Sequence, residues 1–226
     1  MRPSTMAKIG VVKLAMIGAY AAFVRPWHLR WGATDEELAE TWPGDERAPN
    51  PTIDATHAIT IDAPPEDVWP WIAQLGQHKA GFYSYGWLEN LFGCHMPDVR
   101  DIRHDWQHLK VGDKLYLHPK VALEVVEVEP ERTLVLSRDW SFHLRPIDGG
   151  ERTRLLIRNR GYFENPDPRT GQPLRFDLGP IGNVVYWRGL FEPAHFIMER
   201  KMMLGIKALS ERFAEEREAA RLVGVA

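Results

Sequence analysis

The feature that most constrains the fold is a long amphipathic helical pattern near the end of the chain, over residues 191–217. Pro193 suits the first turn of a helix, because its missing N–H would have no partner there. Side chains that recur every three or four residues then form one mainly apolar stripe: His195, Met198, Met202, Ile206, Leu209 and Phe213. Such a helix must pack its stripe against an apolar surface.

The preceding residues predict that surface as an antiparallel sheet. A first strand over 57–61 is followed by a helix that starts at the Pro64-Pro65 pair and ends at Gly76. Turn signals at Pro130 and at residues 148–150 then help to separate five further strand-like runs. These runs are Lys114–His118, Val121–Val128, Thr133–Arg138, Trp140–Arg145 and Arg152–Tyr162.

The last of these runs alternates between two kinds of side chain. Thr153, Leu155, Ile157 and Asn159 share one face, and four arginines, at 152, 154, 158 and 160, share the other. This pattern predicts a sheet that is covered on one face and solvated on the other. His143 and Arg145 are expected on the polar face of their own strand.

Together these patterns predict an α+β helix-grip fold, in which a curved antiparallel sheet wraps around the long C-terminal helix. One helix does not fill the width of a bent six-stranded sheet, so we expect a cavity between them. The predicted organisation is an apolar N-terminal segment (1–31), a short helix and linker (32–54), the helix-grip domain (55–219) and a tail (220–226). The short helix is predicted from the capping-box spacing of Thr34 and Glu37.

Residues 9–24 are almost wholly apolar and run into a tryptophan- and arginine-containing stretch at 25–31. The uncharged part, 14–24, is shorter than the ~20 residues of a usual membrane span, but Lys8 and Lys13 can snorkel. We therefore expect a membrane anchor within 9–31, on a protein that is otherwise cytoplasmic. A helix packed on the domain and a cleaved secretory signal are the alternatives. Basic residues flank both ends, so no orientation is predicted.

Composition argues against several functions. The 28 basic and 31 acidic side chains are spread without a block of one sign, so nucleic acid is not an expected partner. With Cys94 as its single cysteine, the chain forms no intrachain disulfide. Asp101, His104, Asp105 and His108 have helical spacing for a metal site, but Gly112 and the loop character of this stretch favour a solvated polar loop. No metal and no cofactor are predicted.

Four stretches of sequence resemble the START-related superfamily SRPBCC, which includes polyketide cyclases, dehydratases and lipid-transport proteins. They are ITIDAPPEDVWPW (59–71), GFYSY (81–85), WQHLKVGD (106–113) and HFIMERKM (195–202). Residues 25–34 also resemble the lead-in of a bacterial branch of this superfamily. The resemblance implies a cavity for a hydrophobic ligand. It implies no catalytic residue, because the superfamily shares no common catalytic set.

Aromatic and methionine side chains are the candidates for the cavity wall. The predicted ligand-binding residues are Tyr83, Tyr85, Trp87, Trp140, Phe142, Phe191, His195, Met198 and Met202. His195 near the start of the helix could orient a polar group of the ligand as a neutral imidazole, or it could be a hydrogen-bonded core residue.

Three functions stay open at this point. The first is binding or carriage of a small hydrophobic molecule, lipid-like or polyketide-like, and it requires only a cavity. The second is an enzyme of cyclase or dehydratase type, in which His195 or a cavity tyrosine moves protons; no residue pair stands out as acid and base. The third is a membrane-tethered interaction protein without a ligand.

Overall fold

A six-stranded antiparallel sheet forms the body of the protein in the computed structural model, which describes residues 12, 15–91, 93–138, 140–161, 182 and 185–224. The strand order is β1-β6-β5-β4-β3-β2. Register shifts between β2 and β3 and between β3 and β4 accompany the curvature of the sheet. The strands are β1 (Ile53–Ile61), β2 (Lys114–His118), β3 (Val121–Glu129), β4 (Thr133–Leu136), β5 (Trp140–Ile147) and β6 (Arg152–Gly161).

Within the described residues, α-helices with defined bounds surround or cross this sheet. A π-helical turn at Tyr20–Val24 leads into the first of them, and another at Trp187–Phe191 leads into the last. Three short 3₁₀ helices lie at Asp45–Arg47, His104–Trp106 and Asp148–Gly150. The α-helices are α1 (Arg25–Leu29), α2 (Asp35–Ala39), α3 (Pro65–Ala73), α4 (Gly86–Leu91) and α5 (Glu192–Leu222).

Local sequence signals explain where the short helices begin. In α2, the Thr34 hydroxyl accepts a hydrogen bond from the Glu37 backbone N–H, and the Glu37 carboxylate accepts one from the Thr34 N–H. This reciprocal capping box was predicted and is confirmed. The helix α3 starts with Pro65 in its first turn, as its sequence indicates.

The long helix α5 lies in the concave face of the sheet, so the helix-grip prediction is confirmed. Met202, Met203, Ile206 and Leu209 of α5 are buried in one core with residues of the sheet and of α3. The sheet side of this core includes residues of three strands: Leu134, Leu136, Phe142, Leu144, Leu155 and Ile157. The α5 residues that line the cavity described below come from its N-terminal part, between Glu192 and Met202.

The arginine face of β6 is mostly covered, so the prediction of a solvated face was wrong except at Arg152, which is exposed at the start of the strand. Arg158 is 3% exposed, and its Nη1 lies 2.7 Å from a carboxylate oxygen of Asp45. Arg154 pairs with Glu37 at 2.7 Å in the same way. The cause is the segment of residues 34–47, which folds over the outer face of the sheet and supplies the carboxylates that these guanidinium groups need.

The neighbouring strand β5 is covered by the same segment. Trp42 packs 5.0 Å from the ring of His143, and the Arg145 guanidinium lies 4.6 Å above the Trp42 ring. Burial, followed by the charge of Arg158, lowers the pKa of His143 to about 4. As predicted, His143 and Arg145 lie on the face of the sheet that does not meet the cavity.

Helix α1 packs on α5. The Arg25 guanidinium binds the Glu192 carboxylate through two hydrogen bonds of 2.8 and 2.9 Å, and the Trp27 ring meets Phe196 edge-on at 5.5 Å. Across the described ranges, no helix combines the length and the apolar composition that crossing a bilayer requires, so the predicted membrane-spanning helix is not supported. Residues 9–11, 13 and 14 of that segment lie outside the described residues.

Other predictions on chain organisation have mixed outcomes. The strand boundaries agree with the sequence patterns to within a few residues, and β1 begins at Ile53, four residues before its predicted start. The loop expected at 165–180 and the strand residue Tyr162 lie outside the described residues. The domain boundaries stay a prediction.

Candidate functional site

A cavity of about 560 Å³ opens between the sheet and the N-terminal half of α5. Its volume falls within the range of small-molecule sites in proteins. Two segments far apart in sequence contribute to its wall, since α1 provides His28 and Leu29 while Trp187 and Phe191 precede α5. The apolar part of the wall includes Ile53, Ala55, Phe82, Met96, Leu117, Leu123, Trp140, Phe196, Met198 and Met202.

Five of the nine predicted ligand-binding residues lie on this wall: Trp140, Phe191, His195, Met198 and Met202. They lie close together because successive turns at the start of α5 face the cavity, and Trp140 is the first residue of strand β5 beside it. The Phe191 ring stacks on His195 at 5.9 Å, and Trp140 meets His195 at 6.3 Å. Their role in binding stays a prediction.

The other four predicted residues do not line this cavity. Tyr83 is buried, and its hydroxyl accepts a hydrogen bond of 2.8 Å from the Gln74 amide; burial raises its pKa. Phe142 is fully buried in the core behind Trp140. Residues 86–91 form the short helix α4. Trp87 on α4 is 71% exposed, and Tyr85 lies just before this helix.

The polar centre of the cavity is the carboxylate of Glu199, which is buried on α5. It accepts a hydrogen bond of 2.8 Å from the Trp140 indole N–H and two of 3.1 and 2.9 Å from the Asn159 amide. His57 Nδ1 of strand β1 is also hydrogen-bonded to it. We call these four residues, Glu199, His57, Trp140 and Asn159, the Glu199 cluster.

The Glu199 cluster holds an imidazolium and a carboxylate together inside the protein. Burial acts to raise the pKa of Glu199, but the charge and hydrogen bond of His57, together with the charge of His195 and the hydrogen bond of Asn159, lower it below its usual value. For His57, burial acts to lower the pKa, but the charge and hydrogen bond of Glu199, together with the hydrogen bond to the His28 carbonyl, raise it above its usual value. His57 Nε2 also donates to the His28 carbonyl at 2.8 Å, so both ring nitrogens have partners, as a protonated histidine requires.

His195 lies beside the cluster and faces the cavity. Its Nε2 is 3.8 Å from a carboxylate oxygen of Glu199, beyond hydrogen-bonding distance, and a third of its side-chain surface is open. Burial of the ring within the cavity wall lowers the pKa of His195, against the opposite effect of Glu199. His195 is therefore a neutral imidazole at pH 7 that is available to a bound molecule.

Sequence reasoning missed the charged pair of this centre, Glu199 and His57. Glu199 was predicted to lie off the inward stripe of α5, and this prediction was wrong. A carboxylate is rarely buried unless it is paired, and the partners of Glu199 lie far away in sequence, so its burial was not expected. Two signals could have found it. Glu199 follows His195 by four residues and so shares its helix face, and His57 shares the strand face of Ile59 and Ile61. Asn159 was correctly predicted to face inward.

The four residues with helical metal-ligand spacing do not form an α-helix. His104 and Asp105 lie in the 3₁₀ helix His104–Trp106, with loop residues on either side. Within the described residues, no group of three or more histidine, cysteine or acidic side chains is arranged to hold a metal ion.

No family model matches the chain, and no curated protein matches it. Among solved structures, it is similar to protein MLL2253 from Mesorhizobium loti, with 18% identity, 70% of this chain and 97% of that chain covered, and a TM-score of 0.34. Protein BH1534 from Bacillus halodurans gives 20% identity, coverage of 68% and 96%, and a TM-score of 0.32. The Polyketide_cyc-like protein Cgl2372 from Corynebacterium glutamicum gives 13% identity, coverage of 75% and 93%, and a TM-score of 0.29. This is a distant likeness at the level of the fold.

Proposed function

We propose that the protein binds or carries a small hydrophobic molecule, lipid-like or polyketide-like, in the cavity between the sheet and α5. The observation that supports this most directly is the open volume of about 560 Å³ behind a mainly apolar wall. An interior that served packing alone would be filled, because protein cores have few voids larger than a water molecule.

The polar groups of the wall favour a guest with at least one polar end. The carboxylate of Glu199 is fully engaged by protein donors, whereas His195 offers a neutral ring to the cavity. A hydrogen bond from or to that ring would orient the guest relative to α5 without placing a new charge in an apolar space.

Partly filling the cavity should weaken the binding of an apolar probe. Ala55 lies on the wall within β1 and is 6% exposed. We expect Ala55→Phe to remove about 60 Å² of apolar contact from a bound dye, which at roughly 25 cal/mol per Å² weakens binding about tenfold. The measurement is fluorescence titration with Nile red, a neutral apolar dye.

Ala122→Phe is the matched control for this titration. Ala122 precedes the wall residue Leu123 on β3, so its side chain points to the opposite face of the sheet. Its dye affinity should equal that of the wild type. Equal loss in both variants, or no dye binding by the wild type, would contradict the proposed function.

A second candidate function is proton transfer on the bound molecule, in the manner of a cyclase or dehydratase. The specific observation in its favour is the neutral, cavity-facing ring of His195 with the Glu199 carboxylate 3.8 Å behind it. A carboxylate in that position stabilises the imidazolium that forms when the ring accepts a proton. Here His195 would be the base and Glu199 a positioning residue.

The probe for this activity is 5-nitrobenzisoxazole, whose ring opens to a coloured cyanophenolate when a base removes the proton from C3 and the N–O bond breaks. We expect the wild type to open it faster than His195→Gln by about 10²-fold or more, with a rate that falls as acid protonates His195. His118→Gln, on strand β2, is the control and should keep the wild-type rate. A wild-type rate equal to that of His195→Gln excludes His195 as a base.

A further inference from the structure

The cavity wall carries an arginine without a partner. Arg138 lies in the turn between β4 and β5 and lines the cavity. Its Nε is buried and has no hydrogen-bond partner in the structure. A buried guanidinium nitrogen without an acceptor is costly, and native proteins rarely leave one in that state.

The other charged groups of the wall already have partners or lack a permanent charge. Both carboxylate oxygens of Glu192 bind Arg25, and Arg160 lies 3.2 Å from Asp45. The carboxylate of Glu199 already accepts hydrogen bonds from the other residues of the Glu199 cluster. Among the described residues, Arg138 is thus the cavity's one permanent cation that no carboxylate balances.

Glu89 is the remaining carboxyl group on the wall, and it does not neutralise Arg138. No ion pair joins the two side chains, and burial raises the pKa of Glu89 without an opposing effect from any arginine. A cationic group near Glu89 would have lowered that pKa. The two groups therefore act on a guest separately.

We infer that Arg138 binds an anionic head group, so that the guest of this cavity is an amphipathic monocarboxylic acid. This inference rests on the proposed function and adds to it the chemical class of the ligand. The planar guanidinium matches a carboxylate through two parallel hydrogen bonds, and the apolar wall formed by Leu117, Leu123 and Met202 receives the hydrocarbon part.

The backbone at Arg138 provides a way to remove the side chain without harming the fold. Its φ is +63°, in the left-handed region that glycine adopts freely and other residues adopt at a cost. Arg138→Gly should therefore fold at least as stably as the wild type. Arg138→Gln is the second variant, because it keeps a polar side chain and removes only the charge.

The experiment compares dodecanoate with 1-dodecanol and methyl dodecanoate at pH 7.5, by displacement of Nile red. The wild type should bind dodecanoate about tenfold or more tightly than either uncharged analogue, as expected for a charge-assisted pair. Arg138→Gly and Arg138→Gln should bind all three with similar affinity. Arg132→Gln is the control: Arg132 is an exposed arginine of the neighbouring β3–β4 turn, and this variant should keep the wild-type preference.

The outcomes separate this inference from the proposed function. Equal binding of the acid and its uncharged analogues by the wild type would overturn the role of Arg138 and leave hydrophobic binding intact. An equal loss of affinity for all three compounds in the Arg138 variants would also overturn that role, since the side chain would then only shape the wall. Binding of none of the compounds, and no Nile red binding, would overturn both proposals.

Discussion

Glu199→Ala should destabilise the protein by about 3–5 kcal/mol, the cost typical of removing one partner from a buried ion pair. The variant leaves the His57 imidazolium buried beside two donors, of Trp140 and Asn159, that no longer have an acceptor. Equilibrium unfolding in urea, followed by tryptophan fluorescence and circular dichroism, measures the change.

The control for this variant is Glu216→Ala on the same helix, an exposed residue whose loss should change the free energy of unfolding by less than about 0.5 kcal/mol. The double variant His57→Gln/Glu199→Gln adds a second test. If the orphaned charge causes the loss, the double variant should lose less stability than the two single variants summed. A loss with Glu199→Ala as small as with Glu216→Ala would show that the cluster contributes nothing to stability.

Gly205→Val should cost at least about 3 kcal/mol, at the upper end of the range for overpacked cores. Gly205 lies in the middle of α5, where a Cβ would stand 2.5 Å from the Tyr83 carbonyl oxygen and 2.8 Å from the Tyr83 Cβ. Tyr83 has little freedom to move, because its φ of +53° and its hydrogen bond with Gln74 fix it in place. The helix would have to move away from the loop before α4.

Ala208→Val is the control that distinguishes the cost of this clash from the cost of the lower helix propensity of valine. Ala208 is exposed on the same helix, so the substitution should cost only about 0.5–1 kcal/mol. Thermal unfolding of the two variants under the same conditions gives the comparison. Equal melting temperatures would mean that α5 does not approach Tyr83 as closely as the structure indicates.

Most of the fold could be predicted from the sequence because its signals are local. Alternating side chains and the turn at 148–150 located the strands β5 and β6, and the three-to-four-residue repeat located α5. The cap formed by Thr34 and Glu37 needs only three residues of separation. These signals act within one element or between neighbours, so no long-range contact is needed to interpret them.

The site could be predicted only in part because its chemistry depends on long-range contacts. His57 and Glu199 are separated by 142 positions and meet only once β1 pairs with β6 and α5 crosses the sheet. The prediction that the arginines of the outer face are solvated was wrong for the same reason. Asp45 pairs with Arg158 from a segment that was predicted to be a linker. When only local sequence patterns are used, a charged side chain is predicted to be solvated unless its partner is near in sequence.

The layer that residues 34–47 form over the outer face has a practical consequence for isolating the ligand-binding part. A shortened chain that starts at residue 55 would expose the guanidinium groups of Arg154 and Arg158 and leave the paired surface of Ala58 and Leu156 without the indole of Trp42. A chain that starts at residue 32 would keep this layer but would lose His28 and Leu29, which form part of the cavity wall. The smallest fragment that preserves both must include α1.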